Sequence, residues 1–276
     1  MNNAISLVSK IKTIAKNKKG INFDNLSQRK KEELSFHDKN RDREQSIEEA
    51  SDTYEKFYGN KKYYKTTKRS VEYVNNWIKK ETKGKIFLDY ACGNGFNAIS
   101  AAKNGAKLAI GIDLSPVSIK NSINDAGNLT NIVFFQDDCE STSLPDNSID
   151  TIICSGMLHH LDLSYSFYEL RRILKPGGKV LCVEALDYNP MIKIYRAFTP
   201  SMRTEWEKAH ILDYSDLKFA RRFFKVQNIF HWHILGYVGA KIPFLAGLLD
   251  GLDILLEKTP LLRSMAWLFT FELVKD

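Results

Sequence analysis

The sequence predicts an α/β fold: a seven-stranded, mostly parallel sheet with helices on both faces, an N-terminal helical arm and helical cap insertions. Two observations support this prediction. Between residues 86 and 185, short apolar runs alternate with stretches whose apolar residues recur at helical spacing. A glycine-containing turn, "ACGNG", follows the first apolar run at once. Alternation of this kind favours parallel strands joined by crossover helices.

The central elements follow from this alternation. A helix over 66–81 leads into the first strand, because Val71, Val74 and Ile78 share one helical face. "KPGG", Lys175 to Gly178, is a turn signal ahead of the fifth strand. Strands are expected at 86–90, 107–112, 131–135, 149–154 and 178–184, with helices at 95–104, 116–126 and 165–174 between them.

The pattern changes after residue 185. Residues 186–212 predict an irregular insertion, and the apolar stretch 234–262, which Gly and Pro interrupt, predicts one or two helices. A short helix is expected at 215–222, and further strands at 225–233 and 266–274.

These patterns divide the chain. We predict a basic helical arm or lid over 1–65. The domain itself should span 66–276, with cap insertions near 186–212 and 234–262.

The composition fits a folded protein in a reducing compartment. Hydrophobic residues make up 43% and charged residues 26% of the chain, as expected for a substantial core. The four cysteines form no CxxC pair and no histidine cluster has ligand spacing, so we expect neither a disulfide framework nor a metal site. A cytoplasmic location follows as a prediction.

The net charge of +7 is distributed unevenly. Residues 1–85 hold 21 Lys and Arg against 12 Asp and Glu, whereas the remainder holds 19 against 21. The body of the protein is therefore nearly neutral. This argues against a nucleic-acid partner, which favours a basic face beside the site.

The N-terminal residues predict a basic amphipathic helix. Ile5, Val8 and Ile11 recur at helical spacing with lysines between them. Such a helix packs on its own domain or on a second subunit, or makes weak contact with a membrane surface. The sequence has no run of 18 apolar residues, so we expect no transmembrane helix.

The turn after the first strand has the features of a nucleotide site. Gly93 and Gly95 follow a strand that ends at the acid Asp89. Glycine adopts positive φ and lets a ligand approach the backbone closely, and the next helix offers free N–H groups. Asp113 ends the second strand, where a carboxylate can accept hydrogen bonds from ribose hydroxyls. NAD and S-adenosylmethionine both fit this pattern.

The downstream segment separates these two cofactors. The stretch "DCESTSLPDNSIDTIICSGMLHHL", then "ELRRILKPGGKV", together with "DYACGNG", resembles the class I S-adenosylmethionine-dependent methyltransferases. The likeness covers residues 85–185 and is greatest to the small-molecule group of ubiquinone and menaquinone biosynthesis enzymes. Ala91 stands where that family has a glycine. The resemblance implies a Rossmann-like fold and S-adenosyl-L-methionine as the cofactor.

The resemblance also implies roles in cofactor binding. Asp89 and the turn that contains Ala91, Gly93 and Gly95 would hold the amino-acid end of the cofactor.

Five further residues would bind the remainder of the cofactor. Asp113 would accept hydrogen bonds from both ribose hydroxyls, and Leu114 would pack on the adenine. Asp138 would accept a hydrogen bond from the adenine amino group, and the Cys139 backbone N–H would donate to a ring nitrogen. Ser155 would approach the methionine part.

Some of these assignments have competitors. Asp113 could instead favour the dipole of the next helix, although Ser115 is the better N-cap with Pro116 at the first helical position. Asp137 competes with Asp138 for the adenine.

Methyl transfer requires alignment of acceptor, methyl group and sulfur, and removal of a proton from many acceptors. A histidine suits the second task. His159 and His160 follow the fourth strand, and Glu184 ends the fifth, so these three are the predicted catalytic residues. Without a catalytic role, His159 would pack under the cofactor and His160 would cap the loop. The weaker candidates are His37, Tyr63, Tyr64, Tyr188 and His210.

The acceptor is predicted to be a small aromatic or lipid-like molecule, because the cap segments are rich in aromatic residues. We expect O- or N-methylation rather than C-methylation. The alternatives are an RNA or protein methyltransferase, an NAD-dependent oxidoreductase, and a non-catalytic, membrane-associated scaffold that keeps the fold. A homodimer is compatible with the sequence. The cap aromatics are Tyr188, Tyr195, Phe198, Trp206, Trp232, Tyr237 and Phe244.

Overall fold

A computed structural model describes residues 6–42, 66–240 and 242–276 of the chain. The strands are β1 (Ile86–Tyr90), β2 (Leu108–Asp113), β3 (Ile132–Gln136), β4 (Ile149–Ser155), β5 (Leu174–Ala185), β6 (Lys225–Trp232) and β7 (Leu268–Val274). The α-helices in the described part are α1 (Leu7–Asn17), α2 (Gln28–Arg41), α3 (Lys68–Glu81), α4 (Phe96–Lys103), α5 (Pro116–Ala126), α6 (Leu163–Ile173), α7 (Pro190–Phe198), α8 (Glu205–Ala209), α9 (Tyr214–Ala220) and α10 (Ala246–Leu256).

The strands form one seven-stranded sheet in the order β3-β2-β1-β4-β5-β7-β6. The first five pair in parallel, and β7 runs antiparallel to both β5 and β6. The predicted seven-stranded, mostly parallel sheet with helices around it is therefore confirmed. The strand order reverses between β1 and β4, so a ligand crevice is expected at their carboxyl ends.

The sheet core is built from the central strands. Phe87 and Leu88 of β1 and Ile110 of β2 have no exposed surface. Trp77 and Ile78 of α3 pack on one face, with Phe87. The indole Nε1 of Trp77 donates a hydrogen bond to Glu272 of β7 at 2.8 Å. Helix α3 thereby links the first and last strands of the domain.

β5 begins earlier than the sequence predicts. The strand includes the "KPGG" segment rather than following it, and its pairing with β4 shifts register between Ile149 and Thr151. Gly177 has φ of 72°, so the glycine that signals a turn instead permits an irregularity within the strand.

Helix α1 packs on the domain itself. Ile11 is fully buried, and Val8 and Ile14 pack against the same core cluster, beside Val133 of β3. Lys18 then forms an ion pair with Asp137 at 2.7 Å. The described apolar residues of α1 are therefore turned towards the core of the domain.

The segment expected to be irregular, 186–212, contains α7 and α8. The side chain of Asn189 accepts hydrogen bonds from the N–H groups of Met191 and Ile192, and Pro190 stands at the first helical position. Thr204 caps α8. Asn189 and Thr204 are residue types that favour an N-cap, and proline favours the first helical position, so both helices begin at local sequence signals. No helix in the described ranges has the length and apolar character of a membrane span.

Candidate active site

The glycine turn lies directly after β1 and opens α4. Ala91, Gly93 and Gly95 have φ of 57°, 53° and 76°, in the left-handed region that favours glycine. A Cβ at Gly95 would lie 2.7 Å from the Phe134 ring. Gly95 is therefore required for space as well as conformation, whereas Ala91 carries strain that a glycine would relieve.

Asp89 stabilises this turn by accepting a hydrogen bond from α4. Its carboxylate accepts a hydrogen bond from the Ala98 N–H at 3.1 Å and is 1% exposed. Burial raises its pKa to about 7, although the Ala98 N–H opposes this shift. Asp89 is not among the described residues that line the cavities below, so its predicted contact with the cofactor stays a prediction.

Asp113 connects the glycine turn to the start of α5 through hydrogen bonds. Its Oδ2 accepts the Gly93 N–H at 2.8 Å, and its Oδ1 accepts the Ser115 N–H at 2.9 Å. The Ser115 side chain caps α5, with Pro116 at the first helical position. The guanidinium of Arg41 lies 3.4 Å from the same carboxylate. Asp113 faces a small cavity, where the predicted ribose contact remains to be tested.

A cavity of about 100 Å³ lies at the carboxyl ends of the parallel strands. Asp113 lines it together with Ala91, Leu114, Asp138, Cys139 and Ser155, so the structure brings six predicted cofactor residues together.

The structure distinguishes the two adjacent acids. Asp138 borders the cavity. Asp137 is 1% exposed, and its carboxylate accepts hydrogen bonds from the N–H and hydroxyl of Ser143. Of the pair, Asp138 is therefore the one placed to meet a ligand.

Helix α2 closes this cavity from outside. Lys30 pairs with Asp138 and Arg29 pairs with Glu140, both at 2.5 Å. Arg41, at the far end of the helix, reaches Asp113. A volume of about 100 Å³ is smaller than the roughly 300–1,000 Å³ of typical small-molecule sites. A nucleoside-sized ligand therefore needs more space than this cavity alone provides.

His159 is held by a fully buried carboxylate. Glu184 is 0% exposed, and its Oε2 lies 2.7 Å from His159 Nδ1. Its Oε1 accepts the N–H groups of Met157 and Leu158 at 2.9 and 2.8 Å. Burial disfavours the imidazolium, but the charge and the hydrogen bond of Glu184, together with the charge of Glu207, outweigh this effect and raise the pKa of His159. Glu184 lies beneath the histidine and not among the cavity-lining residues.

His160 has a different environment. Its Nδ1 lies 2.8 Å from Glu33 of α2, and its ring contacts that of His37 edge-on. Burial, and then the neighbouring His159, lower the pKa of His160 to about 3. His160 is therefore neutral and a weak base.

The sequence analysis did not identify two acids that lie beside His159 and His160. Glu33 comes from the predicted arm, and Glu207 from the segment expected to be irregular. Glu33 stands four residues before His37 on α2, a spacing that marks one helical face and could have paired the two. Glu33, His37 and His160, and also His159, His160 and Glu207, bring ligand-type atoms within 4.8 Å of one another. The expectation of no metal stays a prediction.

A second cavity, of about 1,000 Å³, lies under the cap. Its walls are mostly apolar and come from α2, α3, α7, β5 and the start of β7. Among the described residues, the acidic and basic side chains that face it are Arg196, Arg203, Glu207 and three histidines. Its apolar and aromatic wall includes Phe36, Val71, Val74, Phe96, Val183, Ala185, Ile194, Tyr195, Phe198, Met202, Val238 and Leu268.

The two cavities meet at the carboxyl end of β4. His37, Ser155, Gly156 and His160 line both of them. A molecule in the larger cavity would therefore contact a molecule in the smaller one at this point.

Other predicted residues lie elsewhere. Tyr188 stacks on Tyr214 and His210 on Trp206, so these rings pack within the cap. Of the cap aromatics, Tyr195 and Phe198 line the larger cavity. Tyr63 and Tyr64 fall outside the described residues.

Comparison with known proteins agrees with this geometry. Residues 88–182 match the methyltransferase domain family. The chain is 29% identical over 150 residues to the ribosomal protein L11 methyltransferase of Photobacterium profundum. The match covers 51% of this chain and 48% of that protein, so the chain spans about half the length of this curated relative.

Solved structures show the same fold at low identity. A chain of the complex between the Haloferax volcanii Trm112 methyltransferase activator and the putative methyltransferase superposes with a TM-score of 0.58 at 15% identity, covering 82% of this chain and 97% of that one. Geranyl diphosphate methyltransferase in complex with GPP and sinefungin gives 0.53 at 14% identity, covering 75% and 78%. Residues 88–182 therefore match a methyltransferase domain, and the seven-stranded sheet around them has the fold of these solved structures.

Proposed function

We propose that the protein is a methyltransferase that transfers the methyl group of S-adenosylmethionine to a small, aromatic or lipid-like acceptor, at oxygen or nitrogen. The observation that supports this most directly is the junction of the two cavities at Ser155, Gly156 and His160. In-line transfer requires the acceptor to reach the methyl group without intervening water. A mostly apolar cavity of about 1,000 Å³ suits an apolar acceptor of that kind.

In this proposal the small cavity holds the cofactor once α2 has moved. Asp113 accepts hydrogen bonds from the ribose, Asp138 and the Cys139 N–H bind the adenine, and Leu114 packs on it. The amino-acid end lies along the turn of Ala91 and Gly93. The cofactor supplies the activated methyl group, and the protein aligns and encloses the reacting pair.

We assign the general base to His159 rather than His160. Because the Glu184 carboxylate accepts from Nδ1, the proton of neutral His159 lies on Nδ1 and the lone pair lies on Nε2. Nε2 can take the proton of an acceptor hydroxyl or amine as the nucleophile attacks the methyl carbon. Glu184 then stabilises the imidazolium and acts as a positioning residue.

A protein acceptor is the second candidate. The curated relative is a ribosomal protein L11 methyltransferase, and the match covers 48% of it. The mostly apolar cavity under the cap favours the small acceptor, because a side chain on a folded protein would have to pass the cap. An acceptor screen with purified ribosomal proteins beside aromatic and lipid-like compounds distinguishes these two.

Titration calorimetry tests the cofactor assignment first. The wild-type protein should bind S-adenosylmethionine and S-adenosylhomocysteine but not NAD(H), and Asp113→Ala should lose this binding. Asp24→Ala, an exposed acid outside the site, is the matched control. Binding of NAD(H) alone would support an oxidoreductase, and binding of none of these ligands would support a non-catalytic scaffold.

A further inference from the structure

We propose that residues 242–262 form a surface with which the protein docks onto an anionic lipid bilayer. The central observation is the orientation of α10. Leu248, Leu252 and Leu255 are 62%, 42% and 66% exposed. Their spacing places them on one helical face. Phe244, just before the helix, is 85% exposed. Helices on the surface of globular proteins normally turn such a face towards the core.

The opposite side of α10 carries its acids, and these point inward. Asp253 is 0% exposed, and its carboxylate accepts the N–H groups of Leu235 and Gly236 at 2.7 and 2.8 Å. Glu257 accepts the His233 N–H at 2.7 Å and pairs with Arg69 at 2.6 Å. Rotating the helix to bury its leucines would break all of these contacts. The apolar face is therefore held outward.

A second exposed apolar face lies beside the cavity entrance. Met191, Ile194 and Phe198 of α7 are 56%, 51% and 83% exposed, and all three also line the larger cavity. Val238 lines the same cavity, in a 3-10 turn that packs on α10. Apolar surface thus continues from the outside of the cap into the cavity.

This continuity favours a bilayer over a second protein. A bilayer covers both apolar faces and still lets an apolar molecule pass between membrane and cavity, whereas a protein partner on the same faces would block the entrance. Lys258 and Arg263, which follow α10 in the chain, are both exposed. Basic residues beside an interfacial apolar face favour anionic lipids.

Flotation with lipid vesicles tests the proposal without cofactor or acceptor, so its outcome is independent of the proposed methyl transfer. The wild-type protein should float with vesicles that contain phosphatidylglycerol. The triple variant Leu248→Gln, Leu252→Gln and Leu255→Gln should bind roughly ten-fold less or weaker still. The matched control is Ile123→Gln, Tyr165→Gln and Tyr168→Gln, three exposed apolar residues outside the cap. It should float like the wild type.

Thermal melting by circular dichroism confirms that each variant is folded, and single leucine variants replace the triple one if it is not. The proposal is overturned if the wild type does not float, or if the α10 variant floats like the wild type. A dimer that dissociates in the α10 variant, without vesicle binding by the wild type, would identify a second copy as the occupant instead.

Discussion

The small cavity at the sheet edge and the large cavity under the cap have differently built walls. The first is formed by backbone turns, carboxylates and ion pairs with α2, around about 100 Å³. The second is formed mostly by apolar side chains around about 1,000 Å³. Turns with positive φ accept few residue types, whereas apolar walls tolerate exchange of side chains of similar size. Cofactor recognition should therefore depend on a few irreplaceable residues, and acceptor recognition on volume.

The largest effect is expected at His159, which lines the larger cavity next to His160. His159→Asn should lower kcat by about 100- to 10,000-fold, because it removes the general base. His160→Asn, the matched control, should cost much less because His160 is a weak base. Steady-state kinetics with the cofactor saturating measures both. Equal losses in the two variants would contradict the assignment of His159.

A smaller effect on kcat should appear as a shift in pH. The base must be neutral, so activity should rise as pH increases through the pKa of His159, which Glu184 raises above its ordinary value. Glu184→Gln removes that charge but keeps the shape. The acid side of the pH–kcat profile should therefore move to lower pH in this variant. An unchanged profile would show that His159 does not titrate in the rate-limiting step.

A change in the apolar wall of the larger cavity should affect binding of the acceptor but not of the cofactor. Ala185→Phe fills part of the larger cavity from β5 and should raise the KM for the acceptor roughly ten-fold. The Kd for S-adenosylmethionine should not change. Ala197→Phe, on the exposed side of α7, is the control. A weaker cofactor affinity in Ala185→Phe would mean that the two cavities are not separate in function.

Weakening the ion pairs that hold α2 in place should modestly change the rate at which the cofactor product binds. Lys30→Met removes the ion pairs with Asp138 and Glu140. These partly exposed pairs stabilise the closed position of α2 by about 1 kcal/mol. Without them, the association rate of S-adenosylhomocysteine should rise by roughly two- to five-fold. Stopped-flow fluorescence measures the rate, with Lys39→Met, an exposed lysine on the same helix, as the control. A slower association would show that Lys30 attracts the ligand rather than closing the site.

The smallest effect concerns the strained turn. Ala91→Gly relieves a left-handed φ of 57° but increases the entropy of the unfolded chain. The free energy of unfolding should rise by roughly 0.5 kcal/mol. Ala101→Gly, in the middle of α4, should instead lower it by about 1 kcal/mol. Urea denaturation compares them, and a destabilised Ala91→Gly would show that the Ala91 methyl group contributes packing that outweighs its strain.

The sequence predicted the sheet edge better than the cap, for physical reasons. The strand from Ile86 to Tyr90 and the helix from Pro116 to Ala126 have the predicted bounds, because each is set by local signals: an apolar run, and a serine cap with a proline. Glu33 could not be assigned to the site in this way. Its proximity to His160 arises from how the N-terminal arm folds back over the sheet, and no local pattern specifies that contact.

The same limit applies to α10. Its period of leucines predicts a helix, but whether the leucines or the acids face inward depends on the distant Arg69, Leu235 and Gly236. Those partners reverse the orientation that the hydrophobic pattern alone would favour.

Helix α2 borders both cavities at once, with Lys30 and Arg41 over the small one and His37 and Phe36 on the wall of the large one. Lifting this single element uncovers two compartments together. We therefore expect the affinity for the nucleoside product to depend on whether the methylated product is bound, because both ligands lie against the same helix. Product-inhibition patterns would then report on the position of α2.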